Sequence, residues 1–187
     1  LEEYLHSYIS VLPYNELGAA AAAYNADENE LCRLDEIYSA AKTPFEIRSG
    51  SEKVTRRFFK ICNNGRESFT GLYKSLTEQG ICKGHQCIAY GLYMRDNGIE
   101  LSEGLAVYGY SICSAIVTNC VKLVPLSQLA GQKILGESFE LISSASEKAL
   151  FTDINDIGIS GAGFDLRAMQ HERLYSRQYM SVSYTHL

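Results

Sequence analysis

The chain has 187 residues and a formal net charge of −5, with 46% hydrophobic and 21% charged residues. These totals suit one domain with a sizeable core and exclude a disordered chain. The acidic surplus argues against nucleic-acid binding, because phosphate contacts need clustered Lys and Arg. The densest basic run, Arg56-Arg57-Phe58-Phe59-Lys60, is short and reads as a solvated helix face. Six cysteines lie at 32, 62, 82, 87, 113 and 120, in a chain too large and apolar to need disulfide staples. Cys113 and Cys120 read as small core hydrophobes. The expected compartment is reducing and cytoplasmic. No signal peptide is visible, and the first residue is Leu rather than Met, so the true start is expected to be missing.

Apolar spacing predicts a first helix over Leu1–Leu12, ended by Pro13, with Asn15 capping the next. That next helix carries Gly18 and the run Ala19–Ala23, strongly helix-forming and small enough for another helix to approach closely. Asp27 with Glu30 three residues on has the spacing of a capping box, opening a helix that buries Leu31, Leu34, Ile37 and Tyr38. A helix over 44–62 follows, with Pro44 in its first turn, closed by Asn63-Asn64-Gly65. Arg66–Glu78 carries Phe69, Leu72, Tyr73 and Leu76 and stops at Gly80. Lys83-Gly84-His85 leads into a helix with Ile88, Ala89, Leu92 and Tyr93, which Asn97-Gly98 ends.

Leu101–Val124 is the longest predicted helix. It has no charge from Gly104 to Val121 and is therefore expected to be surrounded by protein on all sides. The uncharged run has membrane-span length, but Ser111, Ser114, Thr118 and Asn119 favour a core helix. Pro125 breaks it. Helices over Leu126–Leu135 and Phe139–Phe151, a loop over Asp153–Gly163 and a last helix over Asp165–Met180 complete the chain. No alternating strand pattern persists, so the predicted class is an all-α, single-domain bundle over residues 1–181 around the helix at 101–124. No internal repeat or linker is apparent.

Catalytic signatures are missing. The sequence has no GxxxxGK[ST] phosphate loop and no GxSxG elbow. Glu3-Tyr4-Leu5-His6 is a single Glu-x-x-His where a di-iron bundle needs two. In His171-Glu172-Arg173-Leu174-Tyr175 a tyrosine stands where a zincin needs its second histidine. Cys82-Lys83-Gly84-His85-Gln86-Cys87 is the one compact soft-ligand cluster. Cys82, His85 and Cys87 suit zinc or nickel if a further ligand joins them; the alternative is a helix-capping His85 and a buried Cys87.

Two segments resemble a known family. Asn119–Leu135, with Pro125-Leu126-Ser127-Gln128 and Gln132, resembles the Pro-Leu-x-Gln-x-x-x-Gln core of UreF-type urease accessory proteins. Asp165–Ser181, with His171-Glu172 and Ser176-Arg177, resembles that family's C-terminal His-Glu-x-x-x-Ser-Arg segment. Pro44-Phe45-Glu46-Ile47-Arg48, Arg57, Gly84-His85 and Ala89-Tyr90-Gly91 add weaker support. The family's N-terminal Phe-Pro-x-Gly and His-Ser-x-Gly-x-Glu segment is absent, as expected of an N-terminally truncated fragment. Val182–Leu187 does not fit the family and is expected to be an unpacked overhang.

The resemblance implies a non-enzymatic, all-α, homodimeric helper of nickel insertion into urease. It implies binding to a UreD-type accessory protein (UreH in some species), largely through the C-terminal region. It also implies recruitment of the nickel-carrying GTPase UreG and delivery to apo-urease, with no tightly bound cofactor in this chain. Candidate partner contacts are Arg167, His171, Glu172, Arg173, Tyr175, Ser176, Arg177 and Tyr179. Arg173 with Arg177, and Tyr175 with Tyr179, share helical faces at one-turn spacing. Caps or salt bridges within the chain are the alternative use for the arginines. Pro125, Leu126, Gln128 and Gln132 are expected to hold the helix break, the glutamines satisfying backbone groups that the proline frees; a contact role is the alternative.

Overall fold

Helix boundaries follow local chemistry in the computed structural model, which describes residues 1–62, 68–159 and 161–175. The helices are α1 (Glu2–Val11), α2 (Glu16–Asn25), α3 (Glu28–Ala41), α4 (Phe45–Ile61), α5 (Phe69–Glu78), α6 (Gln86–Asp96), α7 (Leu101–Leu123), α8 (Gln128–Glu137), α9 (Phe139–Ala149) and α10 (Ala162–His171). No strand occurs among the described residues, and the class is the all-α bundle expected. Asp27 and Glu30 form the reciprocal capping box that their spacing predicts. Pro44 stands at the N-cap of α4 rather than inside its first turn. The turn at Asn63-Asn64-Gly65, residues 176–180 of the predicted last helix and the overhang Val182–Leu187 lie outside the described residues.

One cap comes from a distant element. Ser68 accepts from the Gly71 N–H at the start of α5, and the Asp96 carboxylate at the end of α6 accepts from the N–H groups of Phe69 and Thr70 at 2.9 and 2.8 Å. These bonds satisfy donors that a helix start leaves without partners. They also fix α5 antiparallel to α6.

The centre of the bundle is the pair α2 and α6, which is the most extensive helix contact in the chain. Leu17, Ala19, Ala20 and Ala23 are inaccessible to solvent, as are Ile88, Ala89, Leu92 and Met94 opposite them. The small side chains of α2 do what their size suggests. A Cβ built on Gly91 of α6 would lie 2.2 Å from the Ala20 carbonyl oxygen, so the two backbones touch where neither has a side chain to spare.

The long helix α7 departs from the expectation that protein surrounds it. Gly104, Leu105, Tyr108, Gly109, Cys113 and Val117 form a single buried stripe against α9, α8, α2 and α1. Val107 and Tyr110 are exposed, and so are Ser111, Ala115, Thr118 and Asn119. By length and composition alone α7 is apolar enough to cross a membrane; in this fold its polar hydroxyl and amide residues occupy the outer face. Lack of charge is not the same as burial, and periodicity could not separate a helix covered on all sides from one with an uncharged outer face.

Asn15 stands at the N-cap of α2 but makes no side-chain cap. Its buried amide donates to the carbonyls of Val11 and Ile159 at 3.1 Å each, and its oxygen accepts from Lys42 at 3.3 Å. It ties the α1–α2 corner to the loop before α10. Beside it Glu16 and Lys42 form a largely enclosed ion pair at 2.7 Å, with the hydroxyls of Tyr8 and Tyr38 also donating to Glu16.

The α2–α6 approach leads to a stability prediction. Gly91→Ala forces the two backbones apart, and overpacking of this kind costs about 3 kcal/mol. Urea unfolding should show that loss with an unchanged slope against denaturant. A change below about 1 kcal/mol would mean that the contact yields freely.

Candidate functional site

Helix α10 rests on α4 and on the outer face of α1. Phe164 meets the rings of Tyr4 and Tyr8 edge-on, with centroids 5.2 and 5.6 Å away. At the other end His171 Nδ1 lies 2.7 Å from Glu46 Oε2, and the Glu172 carboxylate accepts from the Glu46 backbone N–H at 3.3 Å. These contacts bring His171 and Glu172 to the start of α4, inside the Pro44–Arg48 segment that also carries the family resemblance. His171 and Glu172 therefore position the C-terminal segment against the chain's own body.

The helix ends earlier than expected. It starts at Ala162 and stops at His171. Arg173 N–H and Leu174 N–H instead bond to the carbonyls of Gln170 and His171, three residues back, which tightens the last turn. Arg173 and Tyr175 thus lie past the helix. Ser176, Arg177 and Tyr179 lie outside the described residues. Arg167 donates to Gln170 at 3.3 Å, an internal use. The Arg173 side chain is exposed and has no hydrogen-bond or ion-pair partner among the described residues. Tyr175 is fully exposed, and Leu174, Leu166 and Phe45 are more than half exposed. Thr43, Phe45, Leu166, Met169, Gln170, Glu172 and Arg173 line a cleft of about 450 Å³ between α10 and the α3–α4 corner. The lining joins apolar Phe45, Leu166 and Met169 to the Arg173 guanidinium, a mixture common at protein contacts.

The helix break is built differently from the expectation. Val124 turns extended, Pro125 follows, and Ser127 accepts from the Ala130 N–H at 3.1 Å to cap α8. The Gln128 and Gln132 side chains are exposed and make no hydrogen bond among the described residues. The bond that opens α8 comes instead from the Ser127 hydroxyl. The glutamines share this corner with exposed Leu123, Val124 and Leu129, and with the half-buried Leu126.

Cys82, His85 and Cys87 do not converge. Among the described residues no three His, Cys, Asp or Glu side chains are placed to hold a metal ion. Cys82 Sγ faces Cys32 Sγ at 3.8 Å. The His85 ring lies between Ser39 Oγ at 2.7 Å and Ser51 Oγ at 3.4 Å, with its edge near Tyr38. His85 stands at the N-cap of α6, yet its ring caps nothing. Cys87 is buried, which pushes its thiol up to about 12. The organiser of this region is Asp35, which composition did not single out. Its carboxylate accepts from Tyr73 OH at 2.6 Å, Lys83 N–H at 2.7 Å and Gly84 N–H at 3.1 Å. Tyr73 OH in turn accepts from the His85 N–H at 2.8 Å. Asp35 lies between Leu34 and Tyr38 on the apolar stripe of α3, and a carboxylate on a buried stripe was the signal available.

The family model described as UreF matches residues 1–138. The chain is similar to the urease accessory protein UreF of Actinobacillus pleuropneumoniae serotype 5b, at 32% identity over 97% of this chain and 82% of that protein. It is similar to UreF of Haemophilus influenzae at 32% identity, covering 97% and 80%, and to UreF of Streptococcus thermophilus at 26% identity, covering 96% and 78%. The C-terminal segment lies beyond the matched part of the family model.

His85 gives a pH prediction. Burial holds its pKa below the ordinary value; the Asp35 carboxylate opposes this shift, and Lys42 and Arg48 add to it. In the unfolded chain the imidazole takes a proton near pH 6.5. The unfolded state therefore binds more protons below that pH, and stability falls as pH falls through about 6.5. One such group contributes at most about 1.4 kcal/mol per pH unit. His85→Gln should flatten the decline of unfolding free energy between pH 7 and 5.5 relative to the unmodified chain. Parallel curves would remove His85 as the source.

Proposed function

The chain belongs to the UreF family of urease accessory proteins, and from that premise we propose that it is a non-catalytic scaffold for nickel insertion into apo-urease. It docks a UreD/UreH-type protein and, with it, recruits the GTPase UreG. Nickel passes through the assembly as cargo, and this chain holds no cofactor of its own. It works in the cytoplasm, away from membrane and nucleic acid. The observation that supports the reading best is the C-terminal surface, where Arg173 and Tyr175 project past a helix held down by Glu46.

A scaffold of this kind must offer surface rather than chemistry. The buried polar groups around Asp35 and Glu16 are occupied by internal bonds. The exposed corner at Leu123, Val124 and Leu129 offers a second contact area beside Gln128 and Gln132. The chain also forms a homodimer in this reading. The outer face of α7 suits that contact, because an uncharged strip keeps like charges out of the seam between two copies. Light scattering on the purified chain reads the oligomer directly, and a mass of one copy would remove the dimer.

Reconstitution tests the function. Apo-urease, nickel, GTP, the UreD-type protein and UreG should yield active urease only when this chain is added. Equal activation in its absence would sink the proposal. The surface has its own test. Arg173→Ala combined with Tyr175→Ala should weaken binding of the UreD-type protein by at least tenfold, about 1.4 kcal/mol, with the thermal midpoint unchanged. Unaltered affinity would move the contact elsewhere.

A further inference from the structure

Cys32 and Cys82 have no place in the scaffold reading, yet the fold puts them together. Cys82 lies just after α5, and Cys32 in α3, fifty positions earlier in sequence. Their sulfurs are 3.8 Å apart. This approach is enforced by the framework. Asp35 lies one turn from Cys32 on the same helix, and its carboxylate grips the N–H groups of Lys83 and Gly84, the two residues after Cys82. Gly84 has φ of +89°, a conformation that suits glycine and lets the chain turn back towards Asp35. Helix α3 thus presents a thiol and a backbone clamp together, and the clamped segment presents the second thiol. Both cysteines are free thiols, Cys82 buried and Cys32 half-buried.

We propose that Cys32 and Cys82 form a reversible dithiol–disulfide site, oxidised by a hydroperoxide, that staples α3 to the segment leading into α6. The half-buried Cys32 meets the oxidant. Its thiolate attacks one peroxide oxygen, the O–O bond breaks, and the departing hydroxide of hydrogen peroxide leaves as water with the proton that Cys32 released. Cys32 is now a sulfenic acid. The Cys82 sulfur attacks the Cys32 sulfur, the S–O bond breaks, and the hydroxyl leaves as water with the Cys82 proton. Two thiols and one hydrogen peroxide give one disulfide and two waters, the sulfurs losing two electrons between them. Burial and the Asp35 charge push the Cys82 thiol well up, so it serves as the resolving group and not the first to react. In a reducing compartment the pair stands as the dithiol, and a thiol reductant reopens the bond.

The site can be tested on the folded chain. The native protein is exposed to hydrogen peroxide, free thiols are alkylated, and the unreduced digest is mapped by mass spectrometry. We expect a linked peptide pair carrying Cys32 and Cys82, lighter by two hydrogens than the separate peptides and dispersed by dithiothreitol. Cys62 and Cys120, each half-buried, should remain alkylated or oxidise singly. The oxidised chain should also melt at a higher temperature, since the bond closes a long loop in the unfolded state. Cys32→Ser should abolish both effects. Full alkylation of Cys32 and Cys82 after peroxide, or Cys32 carried through to sulfonic acid with Cys82 still free, would overturn the proposal. The mapping uses the unmodified chain, so its outcome stands even if a serine variant folds poorly.

Discussion

The fold depends on how closely α2 can lie against α6. At Gly91 the distance is set by backbone alone, with the Ala20 carbonyl where a side chain would begin. Such proximity is available only to a helix made of alanine and a neighbour with glycine at the crossing, since any larger residue pushes the axes apart. Close approach multiplies dispersion contacts along both helices. It also fixes the height at which every other element joins. α5 is held to the end of α6 by Asp96, α3 reaches the start of α6 through Asp35, and α7 packs its glycine-bearing stripe along the flank of α2.

That arrangement explains why the polar interior is concentrated at the ends of α6 rather than along it. The helix body is apolar and needs no partners. The Asp35 carboxylate of α3 accepts from the N–H groups just before its first turn, the Tyr73 hydroxyl accepts from the His85 N–H at its N-cap, and its last residue, Asp96, turns its carboxylate to the N–H groups that open α5. A metal reading of Cys82, His85 and Cys87 drew on sequence proximity. The fold uses the same stretch as a junction. Spacing of six residues cannot reveal that the first thiol meets Cys32 while the imidazole lies between Ser39 and Ser51.

Features set by local chemistry were legible in the sequence. The Asp27–Glu30 capping box, the break at Pro125 and the role of the alanine run follow from interactions within a few residues or from side-chain size. Features that depend on a distant partner were not. Asn15 looks like a cap and acts as a bridge to Ile159, because its amide found buried carbonyls within reach. Gln128 and Gln132 look like backbone partners, but Ser127 is shorter and closer. The end of α10 was misplaced for a similar reason. Residues 165–180 read as one continuous helix, whereas Glu46 grips His171 and Glu172 at the point where the helix stops. Membership of the family rests on similarity over most of the chain, which does not depend on the role of any one motif residue.

The outer face of α7 carries the last consequence. A helix that is buried on one stripe and uncharged on the other leaves apolar and hydroxyl groups to water without gaining anything for the isolated chain. The same is true of the Leu123–Leu129 corner and of Leu174 and Tyr175 past α10. The polar groups around Asp35 and Glu16 are bonded internally, whereas these apolar groups lie at the surface. Surface of that kind is what the proposed scaffold role requires, since a partner would cover apolar area that the isolated chain leaves to water.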